Sequence, residues 1–102
     1  MLVFDAEATR RALPYPALIE ALRRRFAAGC EVPPRHVHAV AGADGQPAST
    51  TLIMPAWVPG GRLGIKTVNV FPGNAACGLP ALHATYALFD AATGVPLALL
   101  DG

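Results

Sequence analysis

The chain has 102 residues, 53% of them hydrophobic and only 15% charged, with a net charge of +1. So apolar a composition excludes disorder, and the length suits one small domain. The near-neutral charge leaves no long-range field to attract nucleic acid or an acidic membrane surface, and no apolar run reaches the length of a bilayer.

The N-terminus turns acidic at Asp5, too early for a signal peptide. Asp5 suits the N-cap of a short helix from Ala6 to Leu13. Pro14 and Pro16 interrupt that helix, and Pro16 fits the first turn of a second one, running to about Ala28. Leu18, Ile19, Leu22 and Phe26 fall on one stripe of it at helical spacing. Glu20 and Arg24 pair at i,i+4, and Gly29 is a natural stop. The basic cluster Arg23-Arg24-Arg25 sits late in the same helix.

From Pro33 the pattern changes to strands. The first spans Arg35 to Val40, with His36, His38 and Val40 on one parity. A turn with an Asp44-Gly45 pair leads to a second strand, Ser49 to Met54. Pro59 to Arg62 forms the next turn, and Leu63 to Phe71 the third strand. A loop from Pro72 to Pro80 precedes the fourth strand, Leu82 to Asp90. Ala91 to Gly94 turns the chain into a fifth, Val95 to Leu100. Helices followed by strands on short connections predict an α+β fold with a mainly antiparallel sheet of about five strands. One long helix covers only part of so apolar a sheet, which leaves a face or an edge for a partner. A chain that stops at Asp101-Gly102, directly after an apolar strand, reads as a fragment or an excised domain. Cys30 and Cys77 form no disulfide framework, and a soluble cytoplasmic protein with two free thiols is expected.

Few residues offer chemistry. Lys66 shares its strand parity with Gly64, Val68 and Val70, an apolar setting for a cation. Either its ammonium sits in a partly desolvated pocket and meets a substrate carboxylate, or its stem lies along the sheet while its head reaches water. Arg35 opens the first strand, where its guanidinium fork either clamps a carboxylate or lies free at a strand edge. His36, His38 and His83 supply imidazoles, the side chain whose ordinary pKa lies nearest neutrality. The first two share a strand face, but without a third ligand at metal spacing they read as structural histidines. The Pro72–Pro80 loop could offer N–H groups to an anion, and Cys77 within it is an ordinary thiol. There is no Gly-x-Gly-x-x-Gly, no P-loop and no Gly-x-Ser-x-Gly elbow.

Four segments together resemble a known family: Pro33-Pro-Arg-His-Val37, Leu52-Ile-Met-Pro-Ala56, Leu63-Gly-Ile-Lys-Thr-Val-Asn-Val70 and Ala91-Ala-Thr-Gly-Val-Pro-Leu-Ala-Leu-Leu-Asp-Gly102. In order and spacing they are similar to the N-terminal part of the ornithine cyclodeaminase/mu-crystallin family. The resemblance implies a two-domain NAD(P)-dependent enzyme, whose N-terminal α+β domain binds substrate and builds a homodimer while a Rossmann domain holds the cofactor. Members cyclise and deaminate ornithine, reduce cyclic ketimines and related imino acids, or oxidise alanine. Mu-crystallins bind small ligands without obvious turnover, which leaves a non-catalytic ligand-binding or dimerisation module as the alternative.

Carried across by motif, Arg35 matches the family's carboxylate-binding arginine and Lys66 its active-site lysine. His83 falls where the family lines the pocket, near Ala81 and Leu82. Ornithine-specific members carry a threonine at about the position of Ala81, so its absence leaves a ketimine reductase open. The family continues past Gly102 into a helix with a further arginine, then the Rossmann domain and its catalytic aspartate. The resemblance thus implies NAD or NADP in the full-length protein, no cofactor bound by this chain alone, and an isolated chain that is inactive. The expected partners are a small amino- or imino-acid substrate, a second copy and the missing Rossmann domain.

Overall fold

The computed structural model describes all 102 residues. Strand β1 (Leu2–Phe4) leads into helix α1 (Ala6–Ala12). The Asp5 carboxylate accepts from the Ala8 N–H at 2.8 Å and satisfies one of the free donors of the first turn. Helix α2 (Tyr15–Ala28) begins with Pro16 in its first turn and ends at Gly29, whose φ of +77° suits a residue without a Cβ. Strands β2 (His36–Ala41), β3 (Pro47–Trp57), β4 (Arg62–Val70), β5 (Leu82–Asp90) and β6 (Pro96–Asp101) follow. A 3₁₀ turn, Pro72–Cys77, lies inside the loop between β4 and β5. No helix is long and apolar enough to cross a membrane.

All strands join one six-stranded sheet in the order β1-β6-β5-β4-β3-β2. Neighbours from β2 to β6 pair antiparallel, as short connections dictate, and β1 pairs parallel with β6. The fold is α+β as expected, with six strands instead of five. The additional strand is β1, whose three residues pair with the last strand of the chain and carry no local turn signal. The second predicted strand also grows at both ends and passes through Pro55. Pairing with β2 stops at Ile53, so Pro55 faces the free side of β3, where its missing N–H breaks no ladder bond.

Successive strand residues point to opposite faces, and the register sorts them. Arg62, Gly64, Lys66, Val68 and Val70 share one face of β4 with Met54 and Leu52 of β3, and with Tyr86 and Ala84 of β5. Leu63, Ile65, Thr67 and Asn69 share the other with Ile53 and Thr51, and with Thr85 and His83. Only Gly64, Val68 and Ala98 are buried, out of 102 residues. On the α2 stripe Ile19, Leu22 and Phe26 remain exposed, the last at 84%. The chain therefore does not cover its own apolar surface.

Candidate functional site

Lys66 lies mid-strand in β4, directly opposite Met54 on one side and Tyr86 on the other. Its neighbours along the strand on the same face, Gly64 and Val68, are buried, yet Lys66 itself is exposed. The lysine stem thus runs out from an apolar floor and its head reaches the open side. Arg35, also exposed, stands one residue ahead of β2. His36 is the first residue of β2 and pairs with Ile53, so Arg35 stands just outside the paired register.

Ion pairs within the chain join Glu7 to Arg11, Glu20 to Arg23 and Arg24, and Arg62 to Asp90. Arg35 and Lys66 belong to none of these. Lys66, free of internal partners and opposite an apolar Met54, suits a carboxylate with an apolar body.

His83 does not join them. It pairs with Asn69, three residues from Lys66, and so sits on the opposite face of the sheet. There it forms the end of a row His38–Thr51–Asn69–His83. Thr51 Oγ1 donates to Asn69 Oδ1 at 2.7 Å, and His83 Nε2 meets the Pro80 carbonyl at 3.1 Å. Asn74 donates to the same carbonyl at 2.9 Å, which ties the 3₁₀ turn to the start of β5. His36 and His38 are exposed on the outer strand β2, their rings stacked with centroids 6.0 Å apart. Both are surface residues of an edge strand. No three His, Cys, Asp or Glu residues come close enough to hold a metal ion.

Two features of the Lys66 face escaped the sequence. The first is Tyr86, placed opposite Lys66 by a register that the long β4–β5 connection leaves open in the sequence. The second is a cavity of about 380 Å³ whose lining includes Arg25, Cys30, Trp57, Arg62, Gly64 and Tyr86. It begins one step along β4 from Lys66, which does not itself line it.

A dinucleotide site needs the carboxyl ends of parallel strands joined by helical crossovers. Here the one parallel pair is β1 with β6, separated by nearly the whole chain, and β2 to β6 form a meander. The chain therefore does not form a Rossmann-type nucleotide site by itself.

The model of the ornithine cyclodeaminase/mu-crystallin family matches residues 6–102, and the chain belongs to that family. It is 41% identical, over 98% of its length, to Delta(1)-pyrroline-2-carboxylate reductase 1 of Burkholderia multivorans. Among solved structures it is similar to the Thermococcus litoralis Delta(1)-pyrroline-2-carboxylate reductase in complex with NADH and L-proline. That likeness has a TM-score of 0.79 at 27% identity and covers 100% of this chain and 32% of the other. An archaeal alanine dehydrogenase dimer with bound NAD aligns at a TM-score of 0.74 and 29% identity, over 99% of this chain and 31% of that one. The chain spans about a third of the length of the relatives it matches (32% for the Burkholderia protein). Solved members of this fold hold NADH or NAD, and this chain corresponds to about a third of their length.

Proposed function

We propose that this chain is the substrate-binding domain of an NAD(P)-dependent imino-acid reductase or cyclodeaminase, and that Arg35 and Lys66 hold the substrate carboxylate. The observation that carries the reading is Lys66, a cation without an internal partner opposite Met54 on an apolar sheet face, with Arg35, also without one, just ahead of β2. Arg35 and Lys66 would neutralise the carboxylate from two directions and fix the adjacent carbon for hydride transfer. The hydride donor would be held by a nucleotide-binding domain beyond this chain. The similarity to pyrroline-2-carboxylate reductases makes a cyclic imino acid the first substrate class to test. In the full-length protein, Lys66→Ala and Arg35→Ala are each expected to lower kcat/KM for Delta(1)-pyrroline-2-carboxylate reduction severely. Near-normal turnover in both variants defeats the assignment.

A second role rests on a different observation: a chain that is 53% hydrophobic buries only three residues. Apolar surface left in water on both sheet faces and on α2 favours a covering partner. A second copy is the partner proposed, in keeping with the dimeric alanine dehydrogenase that shares this fold. Light scattering on the full-length protein tests it, and a stable monomer at micromolar concentration rejects it.

A further inference from the structure

Tyr86 is the neighbour of Lys66 that no sequence signal marked. Its Cα partner across β4–β5 is Lys66, but its side chain leans along the sheet towards Gly64. A Cβ built on Gly64 would overlap Tyr86 Oη and Cζ and lie 3.0 Å from Cε1. Gly64 has an ordinary strand conformation and no positive φ. Backbone freedom therefore does not explain the glycine, and close approach of the phenol ring does. The ring occupies the step of β4 between Lys66 and Arg62. Beyond it opens the cavity of about 380 Å³, which Tyr86 and Gly64 both line. On the other side of Lys66 the floor is the apolar row Leu52–Val68–Ala84.

We infer that Tyr86, seated on Gly64, is the specificity-determining wall of the Lys66 site. This rests on the reading of Lys66 as a carboxylate ligand. With the carboxylate between Arg35 and Lys66, the body of an imino acid has two directions to take along the sheet. The phenol ring closes the one towards Gly64. The substrate body is confined to the space over Leu52, Val68 and Ala84, which suits a small apolar ring. Bulk is what the ring contributes, since its seat depends on the missing Cβ and not on a hydrogen bond. Removing the ring joins the Lys66 site to the neighbouring cavity and admits larger bodies.

The test uses the full-length protein with NAD(P)H and two probes that differ by one ring methylene, Delta(1)-pyrroline-2-carboxylate and Delta(1)-piperideine-2-carboxylate. One methylene in an apolar pocket is worth roughly 10- to 200-fold in kcat/KM. Tyr86→Ala is expected to shift the ratio of the two kcat/KM values towards the larger ring by about tenfold or more, and Tyr86→Phe to keep the wild-type ratio. Gly64→Ala unseats the phenol and is expected to lower kcat/KM for both probes. Adding Tyr86→Ala to it restores turnover, a non-additivity that a purely local effect of the new methyl group does not produce. If Tyr86→Ala fails to fold, Tyr86→Leu carries the same comparison. An unchanged ratio in the folded truncation, with Lys66→Ala inactive, overturns the role of Tyr86 alone. Normal turnover in Lys66→Ala overturns the carboxylate reading and this inference with it.

Discussion

Strand β4 carries polar residues on both faces, and the two faces treat them differently. On one, Asn69 lies in a row with His38, Thr51 and His83, within which Thr51 donates to Asn69 at 2.7 Å and His83 meets Pro80 O at 3.1 Å. On the other, Lys66 has no such partner, and neither has Arg35 ahead of β2, although three carboxylates of the chain hold arginines, Asp90 with Arg62 on that same face among them. Groups that are hydrogen-bonded within the chain stabilise the sheet and have less left to offer a ligand. Two cations left open beside an apolar floor keep their full capacity for an anion. The contrast separates structure from function more sharply than the residue types do, for histidine and asparagine are as common in binding sites as lysine.

The largest effects should fall on the open face. Hydrogen bonds to a charged group are worth about 1.5–3 kcal/mol, so loss of either cation should reduce kcat/KM roughly 10- to 150-fold in the full-length protein. His83→Ala and Asn69→Ala should stay within about threefold of wild type. A large loss in His83→Ala would break the comparison, because it would require the far face to reach the substrate.

How much of this could be read from sequence depended on the distance over which each fact is decided. The parity of Lys66 with Gly64, Val68 and Val70 is local, and the register bears it out. The hairpin strands were legible from turn residues such as Asp44-Gly45 and the Thr93-Gly94 pair. Strand β1 was not, because its three residues have meaning only beside Ala98, Leu99 and Leu100. Tyr86 opposite Lys66 and His83 opposite Asn69 depend on a register set across the eleven-residue connection from Phe71 to Ala81. A slip of one residue there would exchange the faces of both. The resemblance placed His83 near the pocket by position in the chain, and the register sets it opposite Asn69, on the face away from Lys66.

Stability should follow the same division at smaller scale. Val68 lies on the open face at 8% exposure, the best-packed large side chain of β4. Val68→Ala should destabilise the domain by about 1–2 kcal/mol, read as a lower urea midpoint at unchanged slope. Thr51→Val removes the donor to Asn69 on the far face and should lower stability by less than about 1 kcal/mol, since the pair is exposed and water replaces the hydroxyl. Equal losses from the two changes would mean that the far face contributes more to the sheet than its neutral row indicates.

Asp90 supplies the smallest effect and the most direct check on the principle. It lies on the Lys66 face, paired in register with Arg62, yet it is a satisfied group. Its carboxylate accepts from the Ala92 N–H at 2.8 Å and the Thr93 N–H at 3.1 Å, closing the turn into β6. Those two backbone bonds, more than Arg62 at 4.0 Å, hold its pKa below the ordinary 3.8. A depressed native pKa means that the unfolded chain takes up the proton first as pH falls. The stabilisation is therefore complete above the unfolded value near 3.9, and it is lost as pH drops through the lower native one. Asp90→Asn keeps an acceptor for the turn but removes the titration. Urea midpoints measured from pH 6 down to pH 2 should fall more steeply in the wild type than in Asp90→Asn, with the gap confined to the region below pH 4. Parallel curves would show that the carboxylate is held no better folded than unfolded. In that event a polar group on the Lys66 face could be open to ligand even with backbone donors beside it, and absence of an internal partner would no longer distinguish Arg35 and Lys66 from their surroundings.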